Sequence, residues 1–285
     1  MKIVISDNNT YTYCAGWDIK TKCPFLISYW YGKQASIQRF LHSNTSLAQK
    51  SSPLYLDSGV FSARKKGIIL GVKGLIDFYH AHANKIDYVF SMDEGDMKNQ
   101  LRNIAIMKSA GVPVIGIWHG TMPLDYLDRI SEITDYIAIS LFVLGNQQTF
   151  ASQNPQRYNY FDMVFRHLYK RNIFPIKVHL LGTEQYNILA RYPIFSADST
   201  GIVSTYSFIK GARWNEKERK IKTFSLKKDK QKALQECGPE YVRLRQENTK
   251  GRVDRIRMAI KQRDKLQEFL TNLWKERGIV WNEDK

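Results

Sequence analysis

The chain has 285 residues, an apolar fraction of 43% and a formal charge of +16, from 43 Lys/Arg against 27 Asp/Glu. That is enough apolar material for the core of one large barrel or two modest domains, and no stretch reaches the roughly 18 consecutive apolar residues of a membrane helix. The three cysteines, Cys14, Cys23 and Cys237, form no CxxC or Cys/His cluster, so neither a disulfide framework nor a zinc site is indicated, and the start MKIVISDNNTYTYC lacks the basic-then-apolar order of a secretory leader. A cytoplasmic protein with free thiols is expected.

In chain order, either MKIVIS at 1–6 or FLISYW at 25–30 can supply a first strand. From 54 to 200, short β-branched or aromatic runs alternate with longer amphipathic ones, the pattern of parallel strands joined by helices. The runs are LYLDS (54–58), DYVFSMD (87–93), VPVIGIWH (112–119), DYIAIS (135–140), FPIKVHLLG (174–182) and YPIFSAD (192–198). Between them, segments such as MKNQLRNIAIMKSAG, with Leu101, Ile104 and Met107 on successive turns and Gly111 at the stop, read as helices. The run IVSTYSFI at 202–209 reads as the last strand. About eight strand–helix units predict a (β/α)8 TIM barrel over 1–213; an open doubly wound sheet is the alternative, disfavoured because no GxGxxG turn follows an early strand.

Past Trp214 the chain becomes basic and helical, and 214–285 is expected to be a helical extension packed on the barrel. Val253, Ile256, Ile260, Leu266, Phe269, Leu270, Leu273 and Trp274 fall close to one helical stripe, with Arg252, Arg255, Lys261, Arg263 and Lys265 largely off it. Residues 210–285 carry 22 Lys/Arg against 12 Asp/Glu. A basic excess of this size attracts polyanions, so nucleic acid is the expected partner, with Lys210, Arg213, Arg252, Arg255, Lys261 and Arg263 as phosphate contacts.

Strand ends of a barrel open on the face where active sites are built. Here they deliver Asp57 with Ser58, Asp93 with Glu94, His119, Ser140, His179, and Asp198 with Ser199 and Thr200. Each alone could be a helix cap or a satisfied polar group. Three aspartates at three strand ends are another matter, because convergence of carboxylates costs repulsion that caps do not require. Paired carboxylates suit chemistry at an anomeric carbon, one attacking or stabilising an oxocarbenium-like centre while the other moves a proton. With a polyanionic substrate, that carbon is the C1′ of a nucleotide. A metal site of His119, His179 and the aspartates is the competing reading.

The ordered motifs LDSGVFS (56–62), MDEGD (92–96), IWHG (117–120), AISL (138–141), HLLG (179–182) and FSADST (195–200) resemble the tRNA-guanine transglycosylase superfamily. The DSG and ADST pair on a short chain is most similar to the phage-type DNA 7-deazaguanine transglycosylases, which exchange guanine in DNA for a 7-deazaguanine base. The resemblance spans about 150 residues, from Leu54 to about Thr200. It implies that Asp198 is the nucleophile, Asp57 the general acid/base and Asp93 the carboxylate that accepts hydrogen bonds from the base edge. Phe61 matches the stacking aromatic and Leu181 an apolar residue on the other face. Ser58, His119, Ser140, Leu141 and His179 complete the base pocket. Guanine-containing DNA and a 7-deazaguanine base are the implied substrates, with no cofactor.

The chain departs from the tRNA enzymes in three places. It has no CxCxxC-plus-His zinc site, DSGVFS stands where they have DSGGFQ, and His119 in WHG replaces the glutamine of VQG. The last two touch the base pocket, so the identity of the incoming base stays open. The same chemistry on tRNA, a barrel N-glycosidase or metallohydrolase, and a non-catalytic nucleic-acid-binding module are the alternatives.

Overall fold

A computed structural model describes residues 1–32, 37–38, 41, 53–93, 96–140, 156–228 and 230–281. Eight parallel strands close into a barrel in sequence order: β1 (Lys2–Ser6), β2 (Phe25–Ser28), β3 (Leu54–Asp57), β4 (Tyr88–Phe90), β5 (Val114–His119), β6 (Tyr136–Ser140), β7 (Lys177–Leu180) and β8 (Ser196–Ser199). The last strand closes on the first through the register Lys2↔Ser196 to Ile5↔Ser199. The TIM barrel expected from the alternating pattern is therefore present. The two candidates for the first strand are both strands, β1 and β2, paired in parallel.

Helices follow the strands: α1 (Asn8–Gly16), α2 (Tyr29–Gly32), α3 (Val60–Arg64), α4 (Val72–Ala81), α5 (Met97–Ser109), α6 (Leu124–Ile133), α7 (Gln156–Lys170), α8 (Tyr186–Leu189) and α9 (Gly201–Ser207). Helix α5 starts where its sequence directs, with the Asp96 carboxylate accepting from the Lys98 N–H, and stops at Gly111, whose φ of 74° suits a residue without Cβ.

The core has two layers, set by the period of two along each strand. Outward residues such as Ile3, Ile5, Leu56, Val89, Ile137, Ile139, Val178 and Leu180 meet the helices. Inward ones, among them Val4, Leu26, Tyr55, Phe90, Ile115, Ile117, Tyr136 and Ala138, fill the barrel's interior.

Two expectations for the C-terminal part need correction. The run IVSTYSFI is not a strand: it follows β8 directly and forms α9. The next strands, β9 (Lys210–Asn215) and β10 (Lys220–Ser225), make an antiparallel hairpin outside the barrel, so the extension is not purely helical and a boundary at 213/214 cuts through β9. Helices α10 (Lys230–Cys237), α11 (Tyr241–Arg245) and α12 (Thr249–Glu276) follow, and Pro239 with the positive φ of Gly238 ends α10.

Helix α12 is integral to the barrel wall. The Gln267 side chain accepts from the Ile3 N–H at 2.8 Å and donates to the Lys22 carbonyl at 3.0 Å. Asp264 accepts from the Thr21 hydroxyl and the Lys22 N–H, and the Thr271 hydroxyl donates to the Met1 carbonyl. Its apolar stripe, including Val253, Ile256, Ile260, Leu266, Leu270 and Trp274, is buried as the helical spacing predicts.

Candidate active site

Inward alternation builds the site. On β3, Asp57 stands one inward step above Tyr55; on β5, His119 stands above Ile117; on β6, Ser140 above Ala138; on β8, Asp198 above Ser196. The polar strand ends therefore crown a packed apolar interior at the barrel's C-terminal face. Neighbouring register holds them together: His119 pairs with Ser140, His179 with Ser196 and Ser28 with Asp57.

Asp198 is 7% exposed. Its Oδ1 accepts from the Gly182 N–H at 2.9 Å and faces His179 Nε2 at 3.1 Å, while Oδ2 has no hydrogen bond among the described residues. Gly182 sits at φ 74°, in the left-handed region that turns its N–H back onto the carboxylate, which explains a glycine in HLLG. Behind His179 the barrel holds a polar chain. His179 Nδ1 meets the Ser196 hydroxyl at 2.5 Å, Ser196 meets the Tyr136 hydroxyl at 2.5 Å, and Tyr136 meets Tyr55 at 3.2 Å. A carboxylate only accepts, so Nε2 carries the proton toward Asp198. In a neutral ring Nδ1 then accepts from Ser196, Ser196 from Tyr136 and Tyr136 from Tyr55. Burial pushes both tyrosine pKa values above the ordinary phenol range, which keeps the phenols as O–H donors.

Asp57 is the carboxyl that its surroundings raise. Burial, reinforced by the charges of Asp198 and Asp93, pushes its carboxyl from 3.8 up to about 6, while the Gly59 N–H, donating to Oδ2 at 2.9 Å, holds it down only in part. Gly59 has φ 72°, and a Cβ there would stand 2.7 Å from the Trp30 backbone nitrogen, so the DSG glycine is required by conformation and by space.

Asp93 lies just past β4, its Oδ1 2.8 Å from Nε2 of the buried His119. His119 Nδ1 is buried with no partner among the described residues. Ser58 is buried, as is Ser140 at the end of β6. Phe61, in the first turn of α3, is 61% exposed, with the Lys65 ammonium 4.2 Å from its ring centre. Leu181 packs against the interior layer at the head of β7. Leu141 and Glu94 lie outside the described residues.

Most of the expected site residues thus gather at one mouth, with two kinds of exception. His179, expected in the base pocket, is fully buried with both ring nitrogens occupied, so it braces Asp198 from below. Among the expected phosphate contacts, Arg255 and Arg263 are each 2% exposed and unsuited to that role. Arg255 Nη1 donates to the carbonyls of Leu244 and Gln246 at 2.6 and 2.7 Å, at the carbonyl end of α11, where a cation is favoured. Arg263 grips Glu184 through Nε at 3.1 Å and Nη2 at 2.6 Å. Lys210 is half-buried with its ammonium 5.5 Å from the Phe208 ring, while Arg213, Arg252 and Lys261 are exposed.

Tyr55, Tyr136, Ser196, Glu184 and the Gly182 N–H were not anticipated. Counting back two residues from Asp57 and Asp198 would have found Tyr55 and Ser196 as inward neighbours. Glu184 has no such signal, since its importance comes from Arg263, 79 residues away.

Among the described residues, no group of three or more His, Cys, Asp or Glu has metal-holding geometry, and no helix is long and apolar enough to cross a membrane.

No protein-family model matches the chain, and no curated protein does. Solved structures match across most of its length. A candidate fructose-1,6-biphosphate aldolase from Coccidioides immitis is 10% identical at a TM-score of 0.52, covering 96% of this chain and 92% of that one. A fructose-bisphosphate aldolase from Campylobacter jejuni is 13% identical at 0.46, with 96% and 90% covered. The tryptophan synthase A-subunit from Pyrococcus furiosus is 12% identical at 0.44, with 90% and 96% covered. At such identities the likeness is one of fold alone.

Proposed function

We propose that this chain exchanges guanine in DNA for a 7-deazaguanine base, as the motif resemblance implies, through a covalent glycosyl intermediate on Asp198. The observation that carries the reading is the pair of carboxyls at the strand ends, Asp198 and Asp57. Asp198 is held by two donors on Oδ1, whereas Asp57 is raised to about 6 by burial and by the charge of Asp198. A carboxyl raised in this way suits a proton carrier, and a carboxylate with one oxygen left unbonded suits a nucleophile.

In the first half-reaction, Oδ2 of Asp198 attacks C1′ as the bond from C1′ to the guanine nitrogen breaks, and the Asp57 carboxyl gives its proton to the departing base. In the second, Asp57 takes a proton from the entering base, whose ring nitrogen attacks C1′ and displaces the Asp198 carboxylate. Atoms and charge balance over the cycle, and no external energy source is consumed. Asp93, oriented by His119, accepts from the N–H edge of the base, and exposed Phe61 offers a ring to its face. The target base must leave its stack, at a cost of a few kcal/mol in a duplex.

The test is nucleoside mass spectrometry after incubating the protein with DNA, or separately with tRNA, and a panel of 7-deazaguanine bases. A modified deoxynucleoside, together with a denaturation-trapped protein–DNA adduct lost in Asp198→Ala, is the expected result. Modification of tRNA alone would move the reading to RNA, and abasic sites without exchange would make the protein a hydrolase. Full exchange by Asp198→Ala would remove the nucleophile from its role.

A further inference from the structure

We infer that the groove between the β9–β10 hairpin and the N-terminal half of α12 is a track for one strand of DNA, gripped by its phosphates. The choice of DNA rests on the base-exchange reading; the remainder rests on the geometry of the groove. It has a volume of about 1040 Å³ and is lined by eight Lys/Arg against four Asp/Glu.

The cations form two facing walls. In the hairpin, Lys222 pairs with Arg213 and Phe224 with Gly211, so these cations share a face with Phe224. Phe224 packs with Ala233, Tyr241 and Leu244 of α10 and α11, and this directs the whole face into the groove. Opposite, Arg257, Lys261 and Lys265 recur every fourth residue of α12, on one side of the helix and about 6 Å apart. All three are exposed and line the same groove.

Existing pairs do not neutralise these walls. Arg213 meets Glu236 at 2.7 Å, Lys222 and Lys220 share Glu218, and Arg257 meets Asp254 at 3.4 Å; all four cations are about half exposed, where such pairs are weak. Lys261 and Lys265 have no ion pair among the described residues. A phosphate backbone entering between the walls meets cations from both sides.

The groove also lies on the correct side of the barrel. Helix α12 runs against the strand direction. Thr271 holds Met1 at the bottom, while Arg263 reaches Glu184, just past β7, and lies beside Gly201, three residues beyond Asp198. Residues N-terminal to Arg263 therefore continue past the mouth, and Arg257 and Lys261 are among them. The aromatic residues of the lining, Trp214 and Phe224, are buried and offer no stacking platform. The grip is thus on the backbone, tolerant of sequence and steeply salt-dependent.

The experiment is fluorescence anisotropy of the full chain with a labelled single-stranded DNA of about 20 nucleotides across a salt series, without any 7-deazaguanine base. Lys261→Gln with Lys265→Gln should lower the slope of log affinity against log salt by about 1.4, since each single-strand phosphate contact contributes about 0.7. Lys108→Gln with Lys170→Gln, at the far ends of α5 and α7, removes equal charge and should leave the slope unchanged. The labelled strand contains no guanine, so no glycosyl adduct forms, and loss of exchange chemistry and loss of the track are read separately. An unchanged slope in the Lys261/Lys265 variant with its melting temperature retained, an equal loss in the control, or tighter binding of the same sequence as RNA would each overturn the inference.

Discussion

His179 points Nε2 at Asp198 Oδ1 across 3.1 Å and sets Nδ1 against the Ser196 hydroxyl at 2.5 Å, so one imidazole ties the candidate nucleophile to the barrel's buried floor. Ser196→Ala removes a group that bridges His179 and Tyr136 in a site closed to water. Leaving buried partners unsatisfied costs about 1–3 kcal/mol, which urea unfolding should register. Loss of the group that fixes the ring should also lower kcat by up to about 10²-fold with little change in KM, the signature of a misplaced nucleophile. Tyr136→Phe should repeat part of the loss, and the double variant should fall well short of the sum. Full additivity would dissolve the proposed chain into independent contacts.

Asp57 couples stability to activity through pH. Its folded carboxyl titrates near 6 against an ordinary 3.8, so its favourable contribution is complete below about 3.8 and is lost as pH rises through 6. At neutral pH the ionised group costs up to about 3 kcal/mol. Asp57→Asn removes the charge and can still accept from Gly59, so its melting temperature should rise above that of the wild type at pH 7.5 and converge on it near pH 4. Single-turnover formation of the glycosyl adduct, which needs the protonated acid, should decline in the wild type as pH rises through about 6. That limb should be absent in Asp57→Asn, whose residual rate should also be far lower.

The barrel was legible because its last six strands are short apolar runs ended by polar turns, and an inward period of two fixes which strand-end side chains meet. The same period would have exposed Ser196 and Tyr55, had it been followed below the carboxylates. What composition could not resolve was IVSTYSFI. Its β-branched residues favour a strand, but the barrel is closed by β1 pairing with β8, so the segment has no ladder to join and coils as α9 against α12. The two buried arginines misled for a related reason. A single apolar stripe assumes a helix with one covered face, whereas α12 is also wrapped by the hairpin and by α11, so residues off the stripe are enclosed too.

That enclosure separates the buried cations from the exposed ones proposed to bind phosphate. Burial raises the pKa of Glu184, which also feels Asp198, and Arg263 opposes the rise. Arg263→Met would strand that carboxylate without its partner, at a cost of about 3–5 kcal/mol. Adding Glu184→Gln should recover much of the loss. For Arg263→Met together with Glu184→Gln, the salt slope of DNA binding should match that of the wild type. A slope reduced by about 0.7 would instead mark Arg263 as a phosphate ligand.

The Asp93–His119 pair bears on the base pocket. With Asp93 as a carboxylate, Nε2 of His119 is the donor and buried Nδ1 is left as a bare acceptor, so the ring gains its place chiefly from this one bond. His119→Leu fills similar volume, removes the orphaned acceptor and frees Asp93 to turn. Stability should therefore change by less than about 1.5 kcal/mol, while recognition of the base edge should suffer. KM for the incoming 7-deazaguanine base should rise at least tenfold, the equivalent of about 1.4 kcal/mol of lost binding. KM for DNA, held largely by phosphate contacts elsewhere, should move much less. Equal weakening of both substrates would mean that His119 supports the fold of the mouth as a whole and does not orient Asp93 toward the base.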